Sequence, residues 1–313
     1  MTKKILVTLQ TFSEYDETPL KILKNSGVEF VLNNLKHRLN KDEIVQLSSD
    51  CNGIIAGIEL YDKEVLNKLT KLECISRCGV GIDNIDLDET KRRDIAIFNT
   101  PNVVIQPVAE MTLAMTFDLL RLLTYHTNIL KSGTWSKKAG HLLCGSKVGI
   151  IGLGRIGKRV AEMFRELNAE VYGFDLFPDK LWAEKIKVKI LPISDIIKNV
   201  DILSLHVSIN EKNPFFIGKK ELFQMKKGAL LINTSRGKII DENALYEALK
   251  SGHLAGAGLD VFANEPNVGV LKNLDNVVLT PHISTLTEES RTQMEIESVE
   301  NILKYFRCPI IKD

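Results

Sequence analysis

The stretch Val148-Gly149-Ile150-Ile151-Gly152-Leu153-Gly154-Arg155-Ile156-Gly157 runs an apolar, strand-like segment into Gly-x-Gly-x-x-Gly. A helical pattern over 158–168 follows at once, and a second apolar segment at 170–174 ends in Asp175. Each part has a physical task. Gly152 permits the tight turn, Gly154 allows backbone to approach a pyrophosphate, and Gly157 lets helix pack on strand. The uncapped N–H groups and positive dipole end of the helix favour phosphate. Asp175, 18 residues beyond Gly157, stands where a carboxylate can accept hydrogen bonds from ribose hydroxyls. That carboxylate would repel a 2′-phosphate, and Leu176-Phe177 offer no arginine to receive one. The expected cofactor is NAD.

Around this unit, strand and helix patterns alternate almost throughout, which predicts parallel sheets covered by helices on both faces. Strands are expected at 3–9, 28–32, 53–56, 74–77 and 96–98 before the glycine motif, and at 188–191, 201–206, 229–233, 255–259 and 277–280 after it. One long apolar helix is expected over 106–131, buried between domains or subunits, with Pro107 near its first turn where proline is tolerated. The glycine motif comes late, so the nucleotide domain occupies the middle of the chain. A final amphipathic helix over 288–306 is expected to return to the first domain. The fold class predicted is α/β with two doubly wound parallel-sheet domains. A Rossmann domain (104–285) is inserted into a discontinuous, flavodoxin-like substrate domain (1–103 and 286–313), with a hinge between them.

Bulk properties narrow the function. A 313-residue chain accommodates two domains, and 44% hydrophobic with 26% charged residues is the composition of a globular protein. Lys plus Arg (41) balances Asp plus Glu (40), which excludes a broad basic field for nucleic acid or membrane surfaces. No apolar run approaches the ~18 residues of a membrane span, and the apolar start is too short for a signal peptide. Five cysteines without metal-site spacing read as reduced thiols in a cytoplasmic protein, with no metal expected.

Three segments after the glycine motif place polar groups at strand ends, where ligands of open α/β sheets bind. Arg236 follows Leu231-Ile232-Asn233-Thr234-Ser235, Glu265 follows Gly258-Leu259-Asp260-Val261-Phe262-Ala263-Asn264, and His282 follows Val277-Val278-Leu279-Thr280-Pro281. Each has a plain structural reading: a surface arginine, a solvated loop acid, a packed histidine. Together they suit hydride transfer to a 2-keto acid. Arginine grips a carboxylate bidentately and polarises the adjacent ketone. Histidine exchanges a proton near neutral pH, and a hydrogen-bonded glutamate stabilises its imidazolium. His37, His126, His141 and His253 take the structural reading, whereas His206, also at a strand end, is a candidate cofactor neighbour.

In order, Gly-x-Gly-x-x-Gly, Asn233-Thr234-Ser235-Arg236-Gly237, Gly258-Leu259-Asp260-Val261-Phe262 with Glu265-Pro266, and Thr280-Pro281-His282-Ile283 resemble the D-isomer-specific 2-hydroxyacid dehydrogenase family. The likeness extends upstream to Ser76-Arg77-Cys78-Gly79-Val80-Gly81-Ile82-Asp83, to Asn99-Thr100-Pro101 and to Val108-Ala109-Glu110. The resemblance implies catalytic roles for Arg236, Glu265 and His282. It gives dinucleotide contacts to Arg155, Ile156, Asp175, His206, Val207, Thr234, Asp260 and Val80, and carboxylate binding to the backbone of Val80 and Gly81, beside Arg236 and His282. It also implies a small 2-hydroxy or 2-keto acid substrate and a homodimer.

Within the family, the motifs are most similar to D-3-phosphoglycerate dehydrogenase-like members, which makes D-3-phosphoglycerate the first named substrate to consider. Hydroxypyruvate and glyoxylate are the alternatives. A different class is also compatible: an NAD-sensing binding protein similar to the C-terminal-binding protein corepressors. Two departures stand against the phosphorylated substrate. Ile55-Ala56-Gly57-Ile58-Glu59-Leu60 carries Glu59 where those members usually place an arginine for the phosphate, and no regulatory domain is expected after Asp313. Ser284-Thr285 also replaces the usual small Gly/Ala pair after the histidine.

Overall fold

The computed structural model describes residues 2–208, 216–266 and 269–310. The chain divides into two compact units, Met1–Val104 with Leu286–Asp313 (unit 1) and Ile105–Thr285 (unit 2). Both are parallel α/β sandwiches, the fold class expected from the sequence.

Unit 1 alternates β1 (Lys4–Val7), α1 (Thr18–Asn25), β2 (Glu29–Leu32), α2 (Lys41–Ser48), β3 (Gly53–Ala56), α3 (Lys63–Lys68), β4 (Cys74–Arg77), α4 (Leu87–Arg92) and β5 (Ala96–Phe98). The sheet order is β2-β1-β3-β4-β5, all parallel. Strand β3 is buried along its whole length, as a strand covered on both faces must be. Short polar residues start the helices. Asn40 forms a capping box with Glu43, while Asp62 and Asp86 accept from the N–H groups of Val65 and Glu89.

Unit 2 contains α5 (Ile105–Arg121), α6 (Leu123–Lys131), β6 (Lys147–Ile151), α7 (Arg155–Glu166), β7 (Glu170–Phe174), α8 (Lys180–Lys185), β8 (Lys189–Ile190), α9 (Ile193–Asn199), β9 (Ile202–Leu205), α10 (Lys219–Gln224), β10 (Leu230–Asn233), α11 (Glu242–Lys250), β11 (Gly256–Leu259) and β12 (Val277–Leu279). Its strand order, β12-β11-β10-β9-β6-β7-β8, reverses direction between β6 and β9. One apolar layer packs Ile196, Leu203, Leu222, Leu245 and Leu271 together, and the other packs Leu113, Val148, Val160, Phe164 and Ile202. After β12 the chain returns to unit 1 as α12 (Glu288–Phe306), whose Met294, Val299, Ile302 and Leu303 are buried. Ser76 Oγ donates to the Ser298 carbonyl at 2.8 Å, tying α12 to β4.

The single helix expected over 106–131 is two. Leu122 adopts a left-handed backbone (φ 56°, ψ 40°), and the Asp118 carboxylate accepts from Thr124 N–H at 2.8 Å to start α6 afresh. Helix α5 lies on unit 2's own sheet, where a Cβ on Gly256 or Gly258 would come within 2.9 Å of Leu119 or Met115. Helix α6 buries no residue.

Candidate active site

The Gly-x-Gly-x-x-Gly turn connects β6 to α7 beside the reversal of strand order, the position at which open α/β sheets bind ligands. Its three glycines are required for different reasons. Gly152 has φ +92°, and a Cβ there would lie 2.4 Å from the His206 carbonyl oxygen. A Cβ on Gly157 would lie 1.8 Å from the Gly152 carbonyl oxygen, so only glycine allows α7 to start this close to the turn. A Cβ on Gly154 would meet nothing within 4 Å. Gly154 therefore packs against no protein atom: it leaves a bare backbone face at the N-terminus of α7, which has no side-chain cap. The first N–H groups of that helix, at Arg155, Ile156 and Gly157, point at the same open side.

Asp175, at the end of the neighbouring β7, accepts from Leu153 N–H at 2.7 Å and from Phe177 N–H at 2.9 Å. These bonds fix a carboxylate beside the turn, while Leu176 and Phe177 are largely exposed. The residues fit a dinucleotide with unesterified ribose hydroxyls. At the end of β9, His206 is half-buried and its Nε2 pairs with Ser204 Oγ at 2.8 Å. Burial pushes its pKa down to about 3, so it is neutral at pH 7. Val207 follows it. Thr234, buried at the end of β10, pairs with Thr112 of α5 at 3.1 Å.

The loops after β10, β11 and β12 carry the three candidate catalytic side chains. His282 Nδ1 and Glu265 Oε2 are 2.9 Å apart. The second Glu265 oxygen accepts from Phe262 N–H at 3.1 Å, so the glutamate is oriented by its own loop. With Nδ1 engaged by a carboxylate, Nε2 is the ring nitrogen that the glutamate leaves for other partners. The Asn233 side chain folds the Arg236 loop, donating to the Arg236 carbonyl at 2.9 Å and accepting from Ser235 N–H at 3.0 Å. A Cβ on Gly237 would lie 1.9 Å from the Phe262 carbonyl carbon, so the β10 loop presses directly on the β11 loop.

Asp260, which the resemblance gives to the dinucleotide, has a wholly buried carboxylate with four donors on it. It accepts from Thr280 Oγ1 (2.6 Å), Ile283 N–H (2.8 Å), Ser284 N–H (2.9 Å) and Ser284 Oγ. These donors bracket His282, whose backbone is left-handed (φ 55°), a conformation that persists only when its surroundings enforce it. Asp260 is a clamp on the histidine loop. The sequence reading missed Ser284 and Thr280 in this role. The available signal was register: β11 and β12 pair Leu259 with Leu279, which places Asp260 beside Thr280.

In unit 1, Val80 and Gly81 follow β4. The Asn99 side chain donates to the Val80 carbonyl at 2.9 Å, and Gly79 N–H donates to Thr100 Oγ1 at 2.8 Å. Val80 is 38% exposed. Glu59 does not present its charge to solvent. It is only 3% exposed and turned onto Thr8 and Gly57. Among the described residues no cluster of His, Cys, Asp and Glu could hold a metal, and no helix is long and apolar enough to cross a membrane.

A seven-stranded parallel sheet with an open glycine turn at its reversal defines a dinucleotide-binding α/β protein. Residues 113–284 match the family model described as D-isomer specific 2-hydroxyacid dehydrogenase, NAD binding domain, and the chain belongs to that family. It is 36% identical to a D-3-phosphoglycerate dehydrogenase of Methanocaldococcus jannaschii, over 97% of this chain and 57% of that protein. It is 37% identical to a glyoxylate reductase of Thermococcus litoralis, over 80% of this chain and 78% of the relative. A D-lactate dehydrogenase of Aquifex aeolicus, solved with NAD and lactic acid, superimposes with a TM-score of 0.84 at 26% identity, covering 97% of this chain and 96% of that one. The chain spans about half the length of the phosphoglycerate dehydrogenases it matches.

Proposed function

We propose that this chain is an NAD-dependent D-2-hydroxyacid dehydrogenase that interconverts a small 2-keto acid and its D-2-hydroxy acid. The observation that carries the proposal is the His282–Glu265 pair, set at strand ends of the same sheet that bears the glycine turn. NAD, when bound, supplies the hydride acceptor, and NADH the donor. Arg236 holds the substrate carboxylate and carbonyl oxygen through its planar fork of donors. Unit 1, by itself, offers the backbone N–H groups of Val80 and Gly81 as carboxylate donors. In reduction His282 delivers the Nε2 proton to the developing alkoxide, and Glu265 stabilises the imidazolium before and during transfer. In oxidation neutral His282 takes the hydroxyl proton. Asp260 acts on His282 by fixing its loop.

On the cofactor side, the N–H groups at Gly154, Arg155, Ile156 and Gly157 receive the pyrophosphate, Gly152 shapes the turn, and Asp175 receives the ribose hydroxyls. His206, Val207 and Thr234 line the remaining strand ends. The names of the relatives point to D-3-phosphoglycerate, glyoxylate and hydroxypyruvate as acids to try first. We also propose a homodimer, supported by the apolar side chains of α6 and the segment after it: Leu123 is 55% exposed, Leu130 56%, Trp135 80% and Leu142 73%. Five free thiols suit the reducing cytoplasm.

The test is NADH oxidation, followed by absorbance, with a panel of 2-keto acids. Turnover of at least one, with D-stereochemistry in the product, is expected. NADH binding without turnover of any would replace the enzyme reading with that of an NAD-sensing binding protein.

A further inference from the structure

Unit 1 has its own reversal of strand order, between β1 and β3, and the two residues that follow those strands are Thr8 and Gly57. By the rule for open α/β sheets, this is where unit 1 would meet a ligand. The position is built for an anion: the Gly57 N–H and the Thr8 hydroxyl converge on one point. That point is filled by the protein itself. Glu59 Oε2 accepts from Gly57 N–H at 2.9 Å and from Thr8 Oγ1 at 2.8 Å, and the residue is 3% exposed. A Cβ on residue 57 would lie 3.0 Å from the same oxygen, so Gly57 makes room for the carboxylate. The turn is pinned from outside as well: Asn84 Nδ2 donates to the Glu59 carbonyl at 2.6 Å, and Arg38 donates to the Ile58 carbonyl. What the turn shows to solvent is apolar, with Ile58 56% and Leu60 46% exposed.

Resting on the dehydrogenase reading above, we infer that Glu59 is a built-in occupant of unit 1's anion position, and that the acid this chain takes carries no phosphate or second carboxylate. The Val80-Gly81 loop follows β4, the strand paired with β3. An acid held there by its carboxylate lays its other end along the edge formed by Gly57, Ile58 and Leu60. A second anion on that end finds its donors already engaged and a buried negative charge beneath them. The tail accepted is neutral: hydrogen, alkyl or hydroxymethyl.

The matched pair hydroxypyruvate and 3-phosphohydroxypyruvate, which differ only in the phosphate, tests this with the full chain and NADH. The wild type should favour hydroxypyruvate in kcat/KM by about 100-fold or more, and Glu59→Ser should cut that preference by at least about tenfold. Glu59→Gln, which keeps shape and loses charge, should also lower it, and it stands in if the serine variant does not fold. Separately, inorganic phosphate should shift the Gly57 amide resonance in Glu59→Ser and leave it unmoved in the wild type. Equal use of the two acids by the wild type would overturn the inference, as would a preference unchanged in both variants or a Gly57 amide indifferent to phosphate in Glu59→Ser. If no form turns over either acid, the phosphate titration alone decides the role of Glu59, and the dehydrogenase reading is decided by the wider panel of 2-keto acids.

Discussion

The two reversals of strand order in this molecule are built alike and finished differently. In unit 2 the turn after β6 ends in Gly154, whose Cβ position faces no protein atom within 4 Å, above an uncapped helix. In unit 1 the turn after β3 folds back so that Glu59 occupies its own Gly57 N–H. Backbone donors at a sheet reversal are thus not a ligand site by themselves. Whether a neighbouring side chain reaches them first decides what the crevice accepts. In unit 2 the Asp175 carboxylate accepts instead from Leu153 and Phe177, and the α7 N-terminus has no side-chain cap.

The largest effect expected belongs to the chemistry that unit 2 adds beyond this shared frame. His282→Ala should lower kcat by about 10²–10⁴-fold with NADH affinity retained, measured by steady-state kinetics and fluorescence titration. An unchanged kcat would remove His282 from the proton transfer.

Next come the glycines of the open turn, which should separate cleanly. Gly157→Ala forces a methyl onto the Gly152 carbonyl and should cost about 1–3 kcal/mol in a denaturant titration. Gly154→Ala should leave stability intact and weaken NADH binding by about tenfold or more. If both behave alike, the bare face at Gly154 has no special part in binding.

Asp175→Ala should then narrow the preference for NAD over NADP by about tenfold, read from the ratio of kcat/KM values. A constant ratio would sever Asp175 from ribose recognition.

The smallest effect concerns His206 and pH. Its folded pKa lies near 3 against an ordinary 6.5, so as pH falls the unfolded chain takes up the proton first. Stability present above about pH 6.5 is lost progressively below it. His206→Gln should flatten the fall of Tm between about pH 7 and 4. Identical slopes in both proteins would assign that loss to other groups.

Much of unit 2 was legible in the sequence because its signals are local. The glycine spacing, the apolar strand before it and Asp175 after it each follow from backbone geometry within a few residues. The placement of Arg236, Glu265 and His282 after apolar strands was also legible, and the structure brings Glu265 and His282 within 2.9 Å of each other. What escaped depends on side-chain direction or on distant partners. Asp260 clamps residues 20 to 24 positions away, visible only once β11 and β12 are in register. Glu59 reads as a carboxylate in the place of an arginine, and the inward turn of its side chain onto Thr8 and Gly57 is visible only in the structure. The break at Leu122 comes from a backbone choice stabilised by Asp118, which apolar periodicity does not report.

The return of α12 to unit 1 has a consequence for how the molecule is made. Ile302 lies against Gly53 of β3, where a Cβ would come within 2.6 Å of it, and Glu295 accepts from Ser13 N–H at 2.8 Å. A ribosome delivers residues 1–104 before 286–313, so unit 1 lacks its last wall until translation reaches 286–313. The inserted unit, contiguous in sequence, has all its segments before unit 1 receives α12. A nascent chain stalled before Leu286 should therefore expose the β3–β4 face to proteases while residues 105–285 resist them.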